Sequence, residues 1–185
     1  MKRIIKTVSE EISTVLESVK EEEAVALGEA IRRAKRIFIS GEGRSGLMGK
    51  AIAMRLMHAD FHVYVTGETI TPSIEKDDLL ITISGSGSTS TSYQLASTAK
   101  QNGAHIFLVT TNKQSKIGEI SDGTLVIPAA TKHRRPEEPK TIQPLGNQFD
   151  QCVHLLLDSV IIWLTQTEDK EEANKKMAGR HANLE

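Results

Sequence analysis

Residues 79–92 run LLITISGSGSTSTS, and this stretch concentrates groups that can do chemistry. Ser84, Ser86, Ser88 and Thr89 supply hydroxyls around Gly85 and Gly87. The glycines let the backbone approach a ligand closely, and each hydroxyl can donate a hydrogen bond. The apolar run 79–83 predicts a buried strand, and Tyr93, Ala96 and Ala99 at spacings of three predict a helix from about Thr89. A small-residue loop between strand and helix turns backbone N–H groups and the positive helix end toward one point, which suits a phosphate. The loop lacks the lysine of the Walker A pattern. Its plainer alternative is a flexible Ser/Gly surface turn.

A second glycine-rich turn, Gly41-Glu42-Gly43-Arg44-Ser45-Gly46, follows a predicted strand at 35–40. Its G-x-G-x-x-G spacing matches the dinucleotide-binding pattern, and Glu68 lies about 22 positions beyond Gly46, where a ribose-binding acid would stand. Arg44 and Ser45 point instead to a fixed cation and a hydroxyl aimed at a small anionic ligand. A surface ion pair is the alternative for Arg44.

Asp150, His154 and Asp158 fall at i, i+4 and i+8 on a predicted long helix starting near Gly146. That spacing admits a metal, but a polar helix face is the simpler reading because no other ligand cluster accompanies it. Asn147 with Asp150 resembles a capping arrangement. His181 stands in a terminal segment of the kind that commonly frays.

The elements that must position these groups alternate. Amphipathic helices are predicted at 3–20 and 22–34, strands at 35–40, 62–66, 79–84, 104–110 and 124–128, and helices at about 47–59 and 89–101. Residues 68–72 read as a loop opening a short helix with Pro72 in its first turn, and 112–120 as a loop and short helix. Residues 129–144 are irregular and charged. They read as a mobile surface loop or as a lid offering Lys132, Arg134 and Arg135 to an anion. Strands alternating with helices predict an α/β fold: a five-stranded parallel sheet flanked by helices on both faces, a three-layer sandwich, with an amphipathic N-terminal helix. Both glycine-rich loops then lie at the carboxyl ends of strands, where open α/β sheets bind ligands.

The 185 residues suit one domain over 1–185, with N-terminal helices at 1–34, an α/β core at 35–166, and a C-terminal helix and tail at 167–185. With 23 basic against 24 acidic residues, the charge argues against nucleic-acid or membrane-surface binding. A single cysteine, Cys152, excludes an intrachain disulfide framework and suits a reducing compartment. No signal peptide or membrane span is expected, so a cytoplasmic location follows.

The loop Ser84-Gly85-Ser86-Gly87-Ser88-Thr89 resembles the signature of sugar isomerase (SIS) domains, which bind phosphosugars. Gly41-x-Gly43-Arg44-Ser45-Gly46, residues 53–58, residues 67–72, Gln143-Pro144-Leu145-Gly146 and the terminal His181-Ala182-Asn183-Leu184-Glu185 are similar to the 6-phospho-3-hexuloisomerase family within that group. The resemblance implies interconversion of D-arabino-3-hexulose 6-phosphate and fructose 6-phosphate in the ribulose monophosphate route of formaldehyde fixation. No metal or organic cofactor is implied. It further implies a phosphorylated ketohexose substrate, a homotetramer with sites shared between subunits, and a functional link to 3-hexulose-6-phosphate synthase. Moving the carbonyl from C3 to C2 passes through a cis-enediol, for which a carboxylate base is the economical tool. The family carries a glutamate base where this chain has Asp150, one methylene shorter, and a displacement of about 1 Å can cost roughly a hundredfold in rate. By the same resemblance His181 donates to the enediol oxygens and Arg44 stabilises their charge. The resemblance also implies that Ser45, Ser84, Ser86 and Thr89 hold the phosphate and that Gly85, Gly87 and Ser88 join them and Arg44 in binding the substrate. Three alternatives stay open: an SIS isomerase for another sugar phosphate, a non-catalytic phosphosugar sensor, and an NAD-dependent enzyme.

Overall fold

The computed structural model describes residues 1–166 and 170–184. The boundary expected at 167 and the last residue of the terminal motif, Glu185, lie outside them. Helices α1 (Lys2–Glu17) and α2 (Glu21–Arg33) precede β1 (Ile37–Gly41), α3 (Gly43–His58), β2 (Val63–Val65) and β3 (Leu79–Ile83). There follow α4 (Ser90–Gln101), β4 (His105–Thr110), α5 (Lys116–Ile120), β5 (Gly123–Val126), α6 (Asn147–Thr165) and α7 (Lys170–Ala178). All four strand pairings are parallel, in the order β2-β1-β3-β4-β5. The order reverses between β1 and β3, so the loops leaving those two strands flank one crevice.

Burial follows the period of two along each strand. Ile37, Ile39, Leu79, Ile81, Ile83, Val109 and Leu125 face a core closed by α1, α2, α3 and α6. Phe38, Leu80, Ile106 and Leu108 face a second core closed by α4 and α5. Helices on both faces of a parallel sheet make the expected α/β three-layer fold. The edge strand β5 is capped from α2, where Glu23 Oε2 accepts from the Val126 N–H at 2.8 Å. Among the described residues no helix is long and apolar enough to cross a membrane.

Two expectations are corrected. The helix expected from Leu47 begins at Gly43, which places Arg44 and Ser45 in its first turn rather than in a preceding loop. The cause is a very tight strand-to-helix turn: a Cβ on Gly46 would lie 2.6 Å from the Gly41 carbonyl oxygen, and Gly43 takes φ +56°. The short helix expected after Pro72 does not form. Asp78 instead accepts from the Glu75 N–H at 2.8 Å, and Arg36 bonds both Asp78 and the Ser73 carbonyl. These contacts hold 73–78 in an irregular path leading into β3.

Candidate active site

The hydroxyl loop leaves β3 at Ser84, which is buried. Gly87, at φ +62°, closes a turn through its N–H to the Ser84 carbonyl at 3.0 Å. The Gly85 carbonyl accepts from the Thr111 N–H and from the hydroxyls of Thr110 and Thr111, tying the loop to the end of β4. The loop hydroxyls themselves are loosely engaged. Ser84 Oγ and Thr89 Oγ1 are 3.3 Å apart, the Ser88 hydroxyl donates to the Ser86 carbonyl at 3.3 Å, and the Ser88 N–H donates to Ser86 Oγ at 3.3 Å. Separations that long leave hydroxyls able to turn to a ligand. Thr89 stands at the N-cap of α4 without a side-chain capping bond, and no acidic residue stands in the first turn of α3 or α4. The positive end of α4 is therefore open to an anion, while that of α3 has Glu42 at its N-cap and meets Asp150 through Ser45.

Arg44, Ser45 and Asp150 come together although more than a hundred residues separate them. Arg44 Nε donates to Asp150 Oδ2 at 2.8 Å, and the Ser45 hydroxyl approaches Asp150 Oδ1 at 3.3 Å. The other arm of Arg44 donates to Asn147 Oδ1. Asp150 is 5% exposed. A Cβ on Gly85 would lie 3.4 Å from the Phe149 ring, so the hydroxyl loop rests on the residue next to Asp150. The hydroxyl loop and the carboxylate are thus joined through adjacent residues of α6. A cleft of about 390 Å³ between α1, α3 and α6 opens beside them, with Ile12, Met48, Ala51 and Leu155 in its wall. A larger cavity of about 590 Å³ lies under α2 at the amino ends of β3 and β4, and holds none of these groups.

The capping arrangement expected for Asn147 and Asp150 is corrected. Gly146 occupies the N-cap of α6 with no side-chain bond, because both side chains are drawn across to Arg44. The stripe of Asp150, His154 and Asp158 is not a common ligand set. Asp158 pairs with His154 at 3.8 Å and with Arg55 at 3.9 Å, while Asp150 turns to α3. Glu68, the acid considered for a ribose, pairs with Lys50 at 3.4 Å.

His181 stands elsewhere. Its ring stacks on His58 with centroids 5.5 Å apart, at the far end of α3 from Arg44. The helix rise puts the two ends about 20 Å apart, so one chain does not bring His181 to Asp150. Burial, then the neighbouring His181 and Arg55, push the His58 imidazole below the ordinary histidine range.

In the irregular segment, Arg134 bonds the Thr131 and Gln143 carbonyls, and Glu138 accepts from the Thr131 N–H and hydroxyl. Arg134 therefore ties the segment to itself rather than facing an anion, while Lys132 and Arg135 are exposed. The segment ends on α1, where Glu11 accepts from the Thr141 hydroxyl at 2.6 Å, the Ile142 N–H at 2.8 Å and Gln143 Nε2 at 3.0 Å. Burial works against the Glu11 charge, but those bonds and the Arg134 charge outweigh it and hold the carboxyl below its usual range. Neither Asn147, in the role of Arg44 partner, nor Glu11 was a candidate from sequence; residues 103 and 132 positions from their partners leave no spacing to find.

A model of the SIS domain matches residues 30–140. The 3-hexulose-6-phosphate isomerase of Bacillus subtilis is 40% identical over 90% of this chain and 89% of its own. That of Mycobacterium gastri is 37% identical over 96% and 88%. The crystal structure of a hypothetical protein from Methanococcus jannaschii, described as inferring a function of 3-hexulose-6-phosphate isomerase, superposes with a TM-score of 0.79 at 34% identity and covers 97% of this chain and 98% of its own. The chain belongs to the SIS domain family and, within it, groups with proteins named 3-hexulose-6-phosphate isomerase.

Proposed function

We propose that the protein interconverts D-arabino-3-hexulose 6-phosphate and fructose 6-phosphate. The observation that carries this reading is the Phe149 ring packed on Gly85, which joins a buried carboxylate to a hydroxyl-rich anion cradle. The phosphate is held by Ser84, Ser86, Ser88, Thr89 and the N-terminus of α4. Asp150 takes the C2 proton, giving an enediolate between C2 and C3 whose negative charge Arg44 balances. As the C2 carbonyl forms, the O2 proton passes to O3 and the proton on Asp150 returns to C3. Ser45, bonded to the carboxylate, keeps it oriented between the two carbons. Each step moves only protons within one molecule of substrate.

The chain works as a homotetramer whose sites are shared. Ile4, Ile5, Leu47, Met54, Leu155 and Ile162 are exposed on α1, α3 and α6, a surface that suits further copies. His181, remote from Asp150 in its own chain, then serves a neighbour's site. A reducing cytoplasm accords with Cys152, a buried thiol that desolvation pushes up to about 11. A synthase that condenses formaldehyde with a pentulose phosphate would supply the substrate.

The test generates 3-hexulose 6-phosphate enzymatically and follows fructose 6-phosphate. Turnover is expected from the wild type. Binding of the phosphosugar without turnover overturns the isomerase reading in favour of a sensor.

A further inference from the structure

We propose that Glu11, on the N-terminal helix, is a positioning residue for the isomerisation: through Gln143 and Asn147 it sets how Arg44 is presented to Asp150. The inference rests on the functional reading above, in which Arg44 and Asp150 act on the substrate.

Five side chains form one unbroken run. Gln143 Nε2 donates to Glu11 Oε2 at 3.0 Å, Asn147 Nδ2 donates to Gln143 Oε1 at 2.9 Å, Arg44 donates to Asn147 Oδ1, and Arg44 Nε donates to Asp150 at 2.8 Å. An amide can be drawn with its oxygen and nitrogen either way round. Here the ends decide. A carboxylate only accepts and a guanidinium only donates, so a single orientation of both amides satisfies every bond. Gln143 is 3% exposed, and water cannot readily repair a wrong orientation there.

Glu11 also fixes the backbone that carries the run. It accepts from the Thr141 hydroxyl and the Ile142 N–H as well as from Gln143. The next turn is strained, with Leu145 in the left-handed region at φ +51°, and closes through the Asn147 N–H to the Pro144 carbonyl at 3.1 Å. A conformation of that kind persists only where its surroundings hold it. Glutamine at position 11 has one acceptor oxygen for three donors. Its NH2 group would then face a donor, and relief by flipping Gln143 and then Asn147 would set an NH2 group against the guanidinium. Arg44 would keep its bond to Asp150 and lose the one that sets its angle.

The test measures kcat and KM for wild type, Glu11→Gln, Asn147→Ala and the double variant, with Glu23→Gln as a control. Glu23 makes a similar bond from a helix to a backbone N–H, at β5 and away from the crevice. Glu11→Gln should lower kcat roughly tenfold with KM changed less than about twofold, the scale of a sub-ångström misplacement. Glu23→Gln should leave kcat at the wild-type value. In the Asn147→Ala background, Glu11→Gln should have no further effect, because the run is already cut. An unchanged kcat in Glu11→Gln, or a full loss that persists in the Asn147→Ala background, overturns the proposal. A crystal structure of Glu11→Gln decides it independently of turnover: the Asn147 side chain should leave Arg44, and an unmoved contact overturns the relay. An inactive wild type would overturn the functional reading and leave that structural arm to decide the relay.

Discussion

The ion pair between Arg44 and Asp150, 2.8 Å long, joins a side chain that is 59% exposed to one that is 6% exposed. The carboxylate is fixed in the protein while the guanidinium borders the solvent side of the crevice. A ligand entering there meets the cation first. Asp150, held by Arg44 on one oxygen and by Ser45 on the other, has little freedom to turn away from it.

Asp150→Asn keeps the shape of the side chain and removes its basicity. The kcat should fall by about 10²- to 10⁴-fold, the span of a general base, while fructose 6-phosphate still binds through the hydroxyl loop. Rapid-quench or coupled kinetics with calorimetric binding checks both halves. Retained turnover would remove Asp150 from the role of base.

Gly87 of the hydroxyl loop and Gly43 at the start of α3 should differ in consequence. A Cβ at Gly87 would lie 2.1 Å from the Ser115 hydroxyl, and φ is +62° there. Gly87→Ala should therefore combine a left-handed backbone cost of about 1–2 kcal/mol with overpacking of about 1–3 kcal/mol, and raise KM by distorting the cradle. At Gly43, φ is +56° but no atom lies within 4 Å of the added methyl. Gly43→Ala should cost the backbone component alone. Chemical denaturation of both variants separates the two contributions, and equal losses would show that packing against Ser115 is unimportant.

The parallel sheet was legible because β-branched runs such as 79–83 and 104–110 alternate with amphipathic helices, and period alone distinguishes the two. The hydroxyl loop was legible because its residues are contiguous. Arg44 and Asp150 could each be named from their motifs, but not their bond, which depends on how α3 packs across α6. The start of α3 was misread because Gly43 and Gly46 look like loop residues until the close approach of Gly46 to the Gly41 carbonyl is seen. Asn147 followed a capping pattern, and a tertiary guanidinium overrode it.

Stability should depend on pH through His58. Its folded pKa lies below the ordinary value of 6.5, first through burial and then through His181 and Arg55. Above pH 6.5 both folded and unfolded states are neutral at this site, and nothing is lost. As the pH falls below 6.5 the unfolded chain takes up the proton first, so stability drops until the folded pKa is passed. The lowered carboxylates of Glu11, Glu138 and Asp122 lose their contributions only further down, below their ordinary values of 4.5, 4.5 and 3.8. Urea midpoints at pH 7.5 and 5.5 should differ more in the wild type than in His58→Gln. An equal difference would place the acid sensitivity elsewhere.

Shared sites make a prediction that no single-chain arrangement makes. If His181 serves the site of a neighbouring chain, Asp150→Asn and His181→Ala each spoil every site of a pure oligomer. In a mixed oligomer some crevices take Asp150 from one chain and His181 from another, both intact. Mixing the two variants under conditions that exchange subunits should therefore restore turnover, and the recovery should follow subunit exchange measured by mass spectrometry. Exchange without recovery would sink the shared-site reading and return His181 to its contact with His58, where its own chain holds it.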